Sequence, residues 1–385
     1  MSLTAQDQAL LHRAIAVAHG AIGLSDPNPR VGCVLLDAAG KPAGEGYTQQ
    51  AGGPHAEVMA LRAAVAGGHD LAGGTAYVSL EPCAHHGRTP PCADALVAAG
   101  LARVVMASLD PFDQVAGKGL AILRAAGLQA DVAPAGPVRD AAQALNIGFF
   151  SRVMRQRPWL RMKIAASLDG RTALPDGRSQ WITGAAARAD GHRWRARAGA
   201  VLTGIGTVLD DDPRLNVRLA ASVLQPARIV LDSQYRTPPG ARLLAGPGQA
   251  RVIGAQPHDA RMAALRQAGA VVQQLPSASG QVDLPALLGQ LAQEGINELH
   301  VEAGARLNAA LLTAGLVDEL LIYLAPQLLG PGRGMVDWPA LPSLSAAVHW
   351  QFEHTEAVGD DLCLRLRRPG ATGFLRRDWP CPGPS

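Results

Sequence analysis

Four residues in the first hundred positions have the types and spacing to activate water. His55 and Glu57 stand two apart directly after a Gly52-Gly53-Pro54 break, Cys83 follows Glu81-Pro82, and Cys92 comes nine positions later. One imidazole and two thiolates make a three-ligand zinc set whose fourth position stays open for water, as catalytic zinc requires. Zinc lowers the pKa of that water, so hydroxide is available near neutral pH. Glu57 is close enough to the histidine to take the water's proton and return it to a leaving nitrogen. Two plainer readings use the same residues. A structural zinc site would be closed by a fourth protein ligand, which His85 or His86 could supply. The cysteines could also be unrelated buried side chains.

Something must bring these groups together, and the local patterns say what. Leu10, Leu11, Ala14, Ile15 and Ala18 recur at helical spacing over residues 4–20. Pro27-Asn28-Pro29 breaks the chain, and residues 31–36 read as a short buried strand. A helix over 55–66 starts at the histidine, and a strand over 75–80 ends at Glu81-Pro82-Cys83. A second helix, over 92–99, starts at Cys92 and leads to a strand over 103–107. The candidate ligands thus fall at strand ends and helix starts of a layered α/β domain over residues 1–150.

Residues 148–157 form the expected junction to a second domain over 158–370. Strands are expected there at 160–165, 200–203, 227–231, 251–254 and 298–301, with a helix at 307–314. Glu302-Ala303-Gly304, between strand and helix, is either a phosphate-receiving helix N-terminus or an ordinary helix entry. Residues 371–385 are expected to be a disordered tail, because the run after Arg376 has too much Pro and Gly to pack.

Composition limits what such a chain can be. A length of 385 residues suggests two domains, or three, and 48% hydrophobic with 17% charged residues supplies ample core and no case for disorder. The net charge of +3 is too small to imply nucleic-acid binding by itself. Residues 1–150 carry 9 basic and 12 acidic side chains, the remainder 26 and 20. The mildly basic second half suits a phosphorylated ligand, or is simply an Arg-rich surface. The first eight residues lack the apolar core of a signal peptide, and the apolar stretches are broken before they could span a bilayer. Cys33, Cys83, Cys92, Cys363 and Cys381 make an odd count, which argues against a disulfide framework and for a reducing compartment. The expectation is a soluble cytoplasmic protein.

His-x-Glu followed by Pro-Cys-x-x-Cys is the pattern of zinc nucleobase deaminases. Here eight residues separate the cysteines instead of two. That longer run, Glu81-Pro-Cys-Ala-His-His-Gly-Arg-Thr-Pro-Pro-Cys92, together with Pro27-Asn-Pro-Arg-Val-Gly32, closely resembles the deaminase domain of the bifunctional riboflavin-biosynthesis proteins of the RibD/RibG type. The second half resembles the reductase domain of the same family. The likeness is carried by Lys163-Ile-Ala-Ala-Ser-Leu-Asp-Gly-Arg171, Ser179-Gln-Trp-Ile-Thr183, Thr207-Val-Leu-Asp-Asp-Asp-Pro-Arg-Leu-Asn-Val-Arg218 and Val301-Glu-Ala-Gly-Ala-Arg-Leu-Asn308. It runs from about residue 5 to residue 370.

The resemblance implies a cytidine-deaminase-like three-layer α/β/α domain followed by a dihydrofolate-reductase-like α/β domain. It implies two consecutive steps of riboflavin synthesis. The first is zinc-dependent hydrolytic deamination of 2,5-diamino-6-(5-phosphoribosylamino)pyrimidin-4(3H)-one. The second is NADPH-dependent reduction of the ribosyl group of 5-amino-6-(5-phosphoribosylamino)uracil to ribityl. One zinc ion would sit on His55, Cys83 and Cys92, with Glu57 catalytic. Substrate contacts are implied at Asn28, His85, His86, Arg88, Lys163, Ser179, Arg195, Leu215, Arg218 and Glu302, with Arg195 and Arg218 as the phosphate partners and Asp169 facing the ligand. NADPH contacts are implied at Ala165, Trp181, Thr207, Asp211, Ser233 and the turn Gly304, Ala305, Arg306, Leu307, Asn308, Ala309, Ala310. Many members carry Gly-Gly after the glutamate, where this chain has Ala303-Gly304. The implied partners are small phosphoribosyl pyrimidines and further copies in a homo-oligomer, with no nucleic acid and no membrane.

Two rival classes use the same motifs. A nucleic-acid deaminase would share the zinc pattern, but 4% aromatic residues and dispersed charge supply neither stacking platforms nor basic tracks. A non-catalytic zinc module joined to a nucleotide-binding domain would keep the ligands without needing Glu57.

Overall fold

A computed structural model describes residues 3–84, 91–112, 115–219 and 224–376. The chain forms two units, one reaching to Gln156 and taking in the segment from Gly373, the other Arg157–Thr372.

The first unit opens with α1 (Ala5–Ala18), started by a reciprocal cap in which Thr4 Oγ1 accepts the Asp7 N–H and Asp7 accepts the Thr4 N–H. It continues through β1 (Gly32–Leu36), β2 (Pro42–Tyr47), α2 (Ala56–Ala66), β3 (Thr75–Val78), α3 (Cys92–Ala98), β4 (Arg103–Met106), α4 (Lys118–Ala125), β5 (Gln129–Val132), α5 (Pro137–Leu145) and α6 (Ile147–Arg155). The strands form one sheet in the order β2-β1-β3-β4-β5. β1 runs antiparallel to β2 and β3, and β3, β4 and β5 are parallel. Alternation along β1 feeds two cores. Cys33 and Leu35 point to the side packed with residues of α2, α3 and α4. Val34 and Leu36 point to the side packed with α1 and α5. The result is three layers with the sheet in the middle.

Sequence patterning missed β2, because Pro42-Ala-Gly-Glu-Gly-Tyr47 is poor in the branched residues that mark strands. Its glycines have another use. A Cβ on Gly46 would lie 2.4 Å from Ala60 N, so α2 can rest directly on the strand only because that position is bare. The helix carrying Glu57 is seated by that contact.

The second unit holds β6 (Trp159–Ser167), β7 (Arg171–Ala173), α7 (Ala185–Arg197), β8 (Ala200–Gly204), α8 (Ile205–Asp211), β9 (Ala227–Leu231), β10 (Ala250–Gly254), α9 (Asp259–Gln267), β11 (Val271–Gln274) and α10 (Leu284–Gln293). It ends with β12 (Glu298–Glu302), α11 (Ala305–Thr313), β13 (Glu319–Ala325), β14 (Arg333–Gly334), β15 (Gln351–Val358) and β16 (Asp361–Arg367). Nine strands form a sheet in the order β11-β10-β9-β8-β12-β6-β13-β16-β15. From β11 to β13 every pairing is parallel, and β16 and β15 add an antiparallel edge. An open parallel sheet of this kind binds ligands in the crevice beyond the carboxyl ends of its strands.

Two boundaries differ from expectation. Residues 148–157 are not a loose junction: most of them belong to α6, whose Phe149 and Phe150 are buried in the first unit. The crossing comes at Gln156, which takes a left-handed conformation with φ 55°. The expected disordered tail also starts too early at 371. Ala371 is buried, Gly373–Arg376 forms a short 3-10 turn, and Phe374 and Leu375 pack against the first core. Residues 377–385 lie outside the described residues.

Candidate active sites

His55 is the residue that precedes α2, Glu57 lies in that helix's first turn, and Cys92 is the first residue of α3. Cys83 follows the carboxyl end of β3. Elements that meet at one end of the sheet therefore deliver all four side chains. The His55 Nδ1 is 3.6 Å from Cys83 Sγ and 3.3 Å from Cys92 Sγ, and the Cys92 N–H donates to Cys83 Sγ at 3.3 Å. The three donor atoms lie within 4.8 Å of one another, the sole metal-capable cluster of this kind among the described residues. Two sulfurs and an imidazole nitrogen are the donor set that zinc prefers, and a three-ligand set matches an open catalytic site.

The two thiols act on each other: the hydrogen bond to the Cys83 charge, followed by burial, pushes the Cys92 thiol up. Hydrogen bonding from the Cys92 thiol holds the Cys83 thiol well below its usual range, with further help from His55 and the Cys92 amide. Glu57 is 3% exposed, and burial, followed by the nearby Cys83 charge, pushes its carboxyl up to about 7. A cation at the three ligands would act in the opposite direction.

Asn28 belongs to the segment that enters β1. Because β1 and β3 are antiparallel, the start of one lies beside the end of the other: the Ser79 N–H donates to the Gly32 carbonyl and the Gly32 N–H to Ser79 Oγ. Asn28's own backbone is fixed by its N–H to Ser25 O at 2.9 Å, and its side-chain amide has no partner among the described residues. Two residues on, Arg30 and Asn146 exchange backbone–amide hydrogen bonds of 2.8 Å, which anchors this entry segment. His85, His86 and Arg88 lie outside the described residues.

Sequence reasoning missed two buried carboxylates beside Cys83. Glu81 is 3% exposed and accepts backbone N–H groups from Asp110, Gly117 and Leu120. Asp110 is 7% exposed, and burial pushes it up to about 7. A single acid between an apolar strand end and a proline, in Leu80-Glu81-Pro82, is the signal that could have found the first of them.

In the second unit the carboxyl ends of β6, β8, β9 and β12 open onto one cleft of about 1770 Å³. Lys163, Ser179, Arg195, Leu215, Arg218 and Glu302 line it, and so do Ala165, Trp181, Thr207, Asp211, Ser233, Gly304, Ala305, Arg306, Leu307 and Ala310. Three expected residues do not. Asn308 is buried, with its amide donating to the Met335 carbonyl at 2.9 Å, and Ala309 is 8% exposed on the inner side of α11. What was expected to be a turn over 304–310 is a helix from Ala305, so its residues cannot all face the same way. Asp169 instead closes a turn, accepting from Ser167 Oγ and from the Leu329 and Gly330 N–H groups.

Inside the cleft the charges are already organised. Arg195 holds Glu302 through Nε and Nη2 and donates from Nη1 to the Asn216 carbonyl. Burial would raise the Glu302 carboxyl, but Arg195 above all holds it well below the usual range. Lys163 pairs in register with Glu302 on the neighbouring strand, and burial lowers its ammonium pKa. Arg218 is exposed, donating to Asn216 Oδ1, with Arg214 and Arg242 close enough to depress its pKa after burial and Arg195. Those two arginines line the cleft as well and carry no sequence motif of their own. Ser179 Oγ donates to Asp211 Oδ1 at 2.9 Å, joining an expected substrate contact to an expected cofactor contact. Leu215 sits at φ 52°, a costly left-handed backbone for a non-glycine residue that its buried side chain helps to hold.

The two units therefore define an enzyme with a zinc-type hydrolytic centre on a three-layer α/β/α unit and a large, arginine-lined cleft on an open parallel sheet. Comparison with known proteins agrees. Residues 4–108 match the family model described as the cytidine and deoxycytidylate deaminase zinc-binding region, and residues 158–364 match the RibD C-terminal domain. The riboflavin biosynthesis protein RibD of Escherichia coli (strain K12) is 45% identical over 376 residues, covering 94% of this chain and 99% of that protein. Its Haemophilus influenzae counterpart is 40% identical, covering 96% of this chain and 100% of that protein. Among solved structures, Acinetobacter baumannii RibD in one form superposes with a TM-score of 0.83 at 41% identity, covering 94% of this chain and 98% of that one. A Thermotoga maritima diaminohydroxyphosphoribosylaminopyrimidine deaminase/5-amino-6-(5-phosphoribosylamino)uracil reductase superposes at 0.82 with 29% identity, over 94% and 98% of the two chains. The chain belongs to the RibD family and is a bifunctional deaminase and reductase. Its fold class is the expected one, a cytidine-deaminase-like domain followed by the family's reductase domain. Among the described residues no helix is long and apolar enough to cross a membrane.

Proposed function

We propose that the chain performs two consecutive reactions on one phosphoribosyl pyrimidine. In the first, 2,5-diamino-6-(5-phosphoribosylamino)pyrimidin-4(3H)-one loses an exocyclic amine as ammonia and gains a carbonyl oxygen from water. In the second, the ribosyl group of the product is reduced to ribityl. One observation carries the reading: a three-ligand His55–Cys83–Cys92 group beside buried Glu57 shares a chain with a cleft that gathers the arginines and the α11 start expected for phosphorylated ligands.

His55, Cys83 and Cys92 would hold the zinc ion, which when bound makes a water-derived nucleophile available near neutral pH. Glu57 takes one proton of that water and passes it to the ring nitrogen, then takes the second from the added hydroxyl and gives it to the amine, which departs as the carbonyl forms. Asn28, His85 and Arg88 would hold the pyrimidine nucleotide. In the second unit the start of α11, whose first N–H groups have no partner within the helix and no side-chain cap among the described residues, suits the pyrophosphate of NADPH. Exposed Trp181 and the cleft-lining Ala165, Thr207, Asp211 and Ser233 complete the cofactor's bed. When bound, NADPH supplies hydride to C1′ of the opened sugar. Lys163, with its ammonium pKa lowered by burial, supplies the proton to the adjoining nitrogen. Arg218 takes the substrate phosphate, since Arg195 is committed to Glu302.

The reading includes a homo-oligomer and a cytoplasmic location. The edge strand β15, exposed almost throughout and carrying Phe352 at 68% exposure, supports the first. The free Cys33, Cys83, Cys92 and Cys363 support the second. The test supplies the diaminopyrimidine phosphate with and without NADPH. Ammonia should appear in both cases, and NADPH oxidation should require the deaminated product. Absent NADPH consumption under all such conditions reduces the function to a deaminase alone.

A further inference from the structure

Glu81 lies two residues before Cys83, and the reactions above give it no task. Its side chain is buried, and it makes no ion pair among the described residues. Its oxygens accept backbone N–H groups instead: Oε2 from Asp110 at 3.2 Å and Gly117 at 3.0 Å, Oε1 from Leu120 at 3.1 Å. Gly117 precedes α4 and Leu120 lies in its first turn, where N–H groups have no partner within the helix. The carboxylate of a strand-end turn thus caps a helix that begins more than thirty residues later. Contact continues at the next residue. The Pro82 carbonyl approaches α4 so closely that a Cβ on Gly119 would lie 2.1 Å from it.

Cys83 needs such support, because β3 ends at Val78 and the sheet's ladder does not reach it. On its far side it is tied to α3, with the Ala93 N–H donating to its carbonyl at 3.3 Å and the Cys92 N–H to its sulfur at 3.3 Å. On its near side the backbone is held by the Glu81 N–H donating to the Ser108 carbonyl at 2.9 Å, and beyond that bond the holding contacts are those of the Glu81 side chain and the Pro82 carbonyl with α4. We propose that Glu81 is a positioning residue of the deaminase, setting the Cys83 sulfur against His55 and Cys92 by locking the strand-end turn to the start of α4. The inference rests on the zinc reading of those three ligands.

The test uses the full chain, loaded with zinc or with cobalt as a spectroscopic stand-in. Glu81→Gln keeps the size but offers one acceptor oxygen to three donors and turns an NH₂ toward an N–H. Zinc affinity, read by chelator competition, should weaken ten- to a hundredfold, and the thiolate-to-cobalt absorption should fall. Gly119→Ala keeps the Glu81 carboxylate but would set a Cβ 2.1 Å from the Pro82 carbonyl and 3.2 Å from Glu81 Cγ and Oε1, so it strains the same turn-to-helix contact and should weaken zinc in the same direction; it decides the matter if the glutamine variant does not fold. Wild-type zinc affinity and cobalt spectrum in the variants, with only the thermal midpoint lowered, would make Glu81 a stability residue and overturn the proposal. Wild-type protein that binds zinc without any thiolate-to-cobalt absorption would instead overturn the ligand assignment on which it rests.

Discussion

Arg195 on α7 and Glu302 at the end of β12 are 107 residues apart in sequence, yet they meet in a two-point ion pair on the wall of the reductase cleft. Both are mostly buried, so neither can lose its partner cheaply. Arg195→Ala should destabilise the second unit by about 3 kcal/mol. Arg195→Lys should recover only part of this, because an ammonium cannot reproduce the fork. Five of the six tryptophans, Trp159 to Trp350, belong to this unit, so urea unfolding followed by tryptophan fluorescence reads chiefly this unit, and Trp379→Phe removes the remaining signal.

The same pair sets a pH dependence. Glu302's carboxyl is held below its unfolded value of about 4.3. Its stabilising contribution is therefore complete above that pH and is lost as pH falls below it. The stability gap between wild type and Glu302→Gln should be widest near neutrality and close below about pH 4. A gap that widens with acid would contradict the assignment.

Arg218, exposed in the cleft, is the guanidinium that the proposed function assigns to the substrate phosphate. Arg218→Ala should raise the reductase KM roughly ten- to a hundredfold, the worth of a charge-assisted hydrogen bond. The dephosphorylated substrate should show no such penalty. An equal loss on both substrates would remove Arg218 from the phosphate site.

Glu57→Gln keeps the ligand set and removes the proton carrier. Ammonia release should drop by about 10²–10⁴-fold while bound zinc is unchanged. NADPH oxidation with the deaminated substrate should continue at the wild-type rate. Undiminished ammonia release would return the zinc centre to a structural role.

Removing the metal separates the two activities in another way. Dialysis against a strong chelator should abolish ammonia release and leave reduction of the deaminated substrate intact, and added zinc should restore the first. Loss of both would mean that the metal supports the fold of the whole chain.

How much was legible in advance depended on how local each signal is. The helix that follows His55, the strand over 227–231 and the metal-capable grouping of His55, Cys83 and Cys92 could be read from short-range spacing. β2 could not, because its glycines serve the packing of α2 and not strand propensity. Asn308 and Ala309 fall on the inner side of α11 and not in the cleft, since sequence adjacency to Gly304 does not tell which side of a helix faces a ligand. The residue type of Arg195 suits a phosphate, and nothing local records that a carboxylate from a distant strand occupies its fork.

The sequence by itself determined the chemistry: a His-x-Glu and two cysteines for zinc hydrolysis, and motifs rich in arginine and glycine for phosphorylated ligands. Those properties belong to residue types and short spacings, which the chain carries whether folded or not. Only the tertiary structure decided which charges remain available. Burial and long-range pairing settle that, by committing Arg195 to Glu302, leaving Arg218 open, and placing Glu81 under the turn that carries Cys83. These contacts join residues tens to a hundred positions apart, and no local pattern records them.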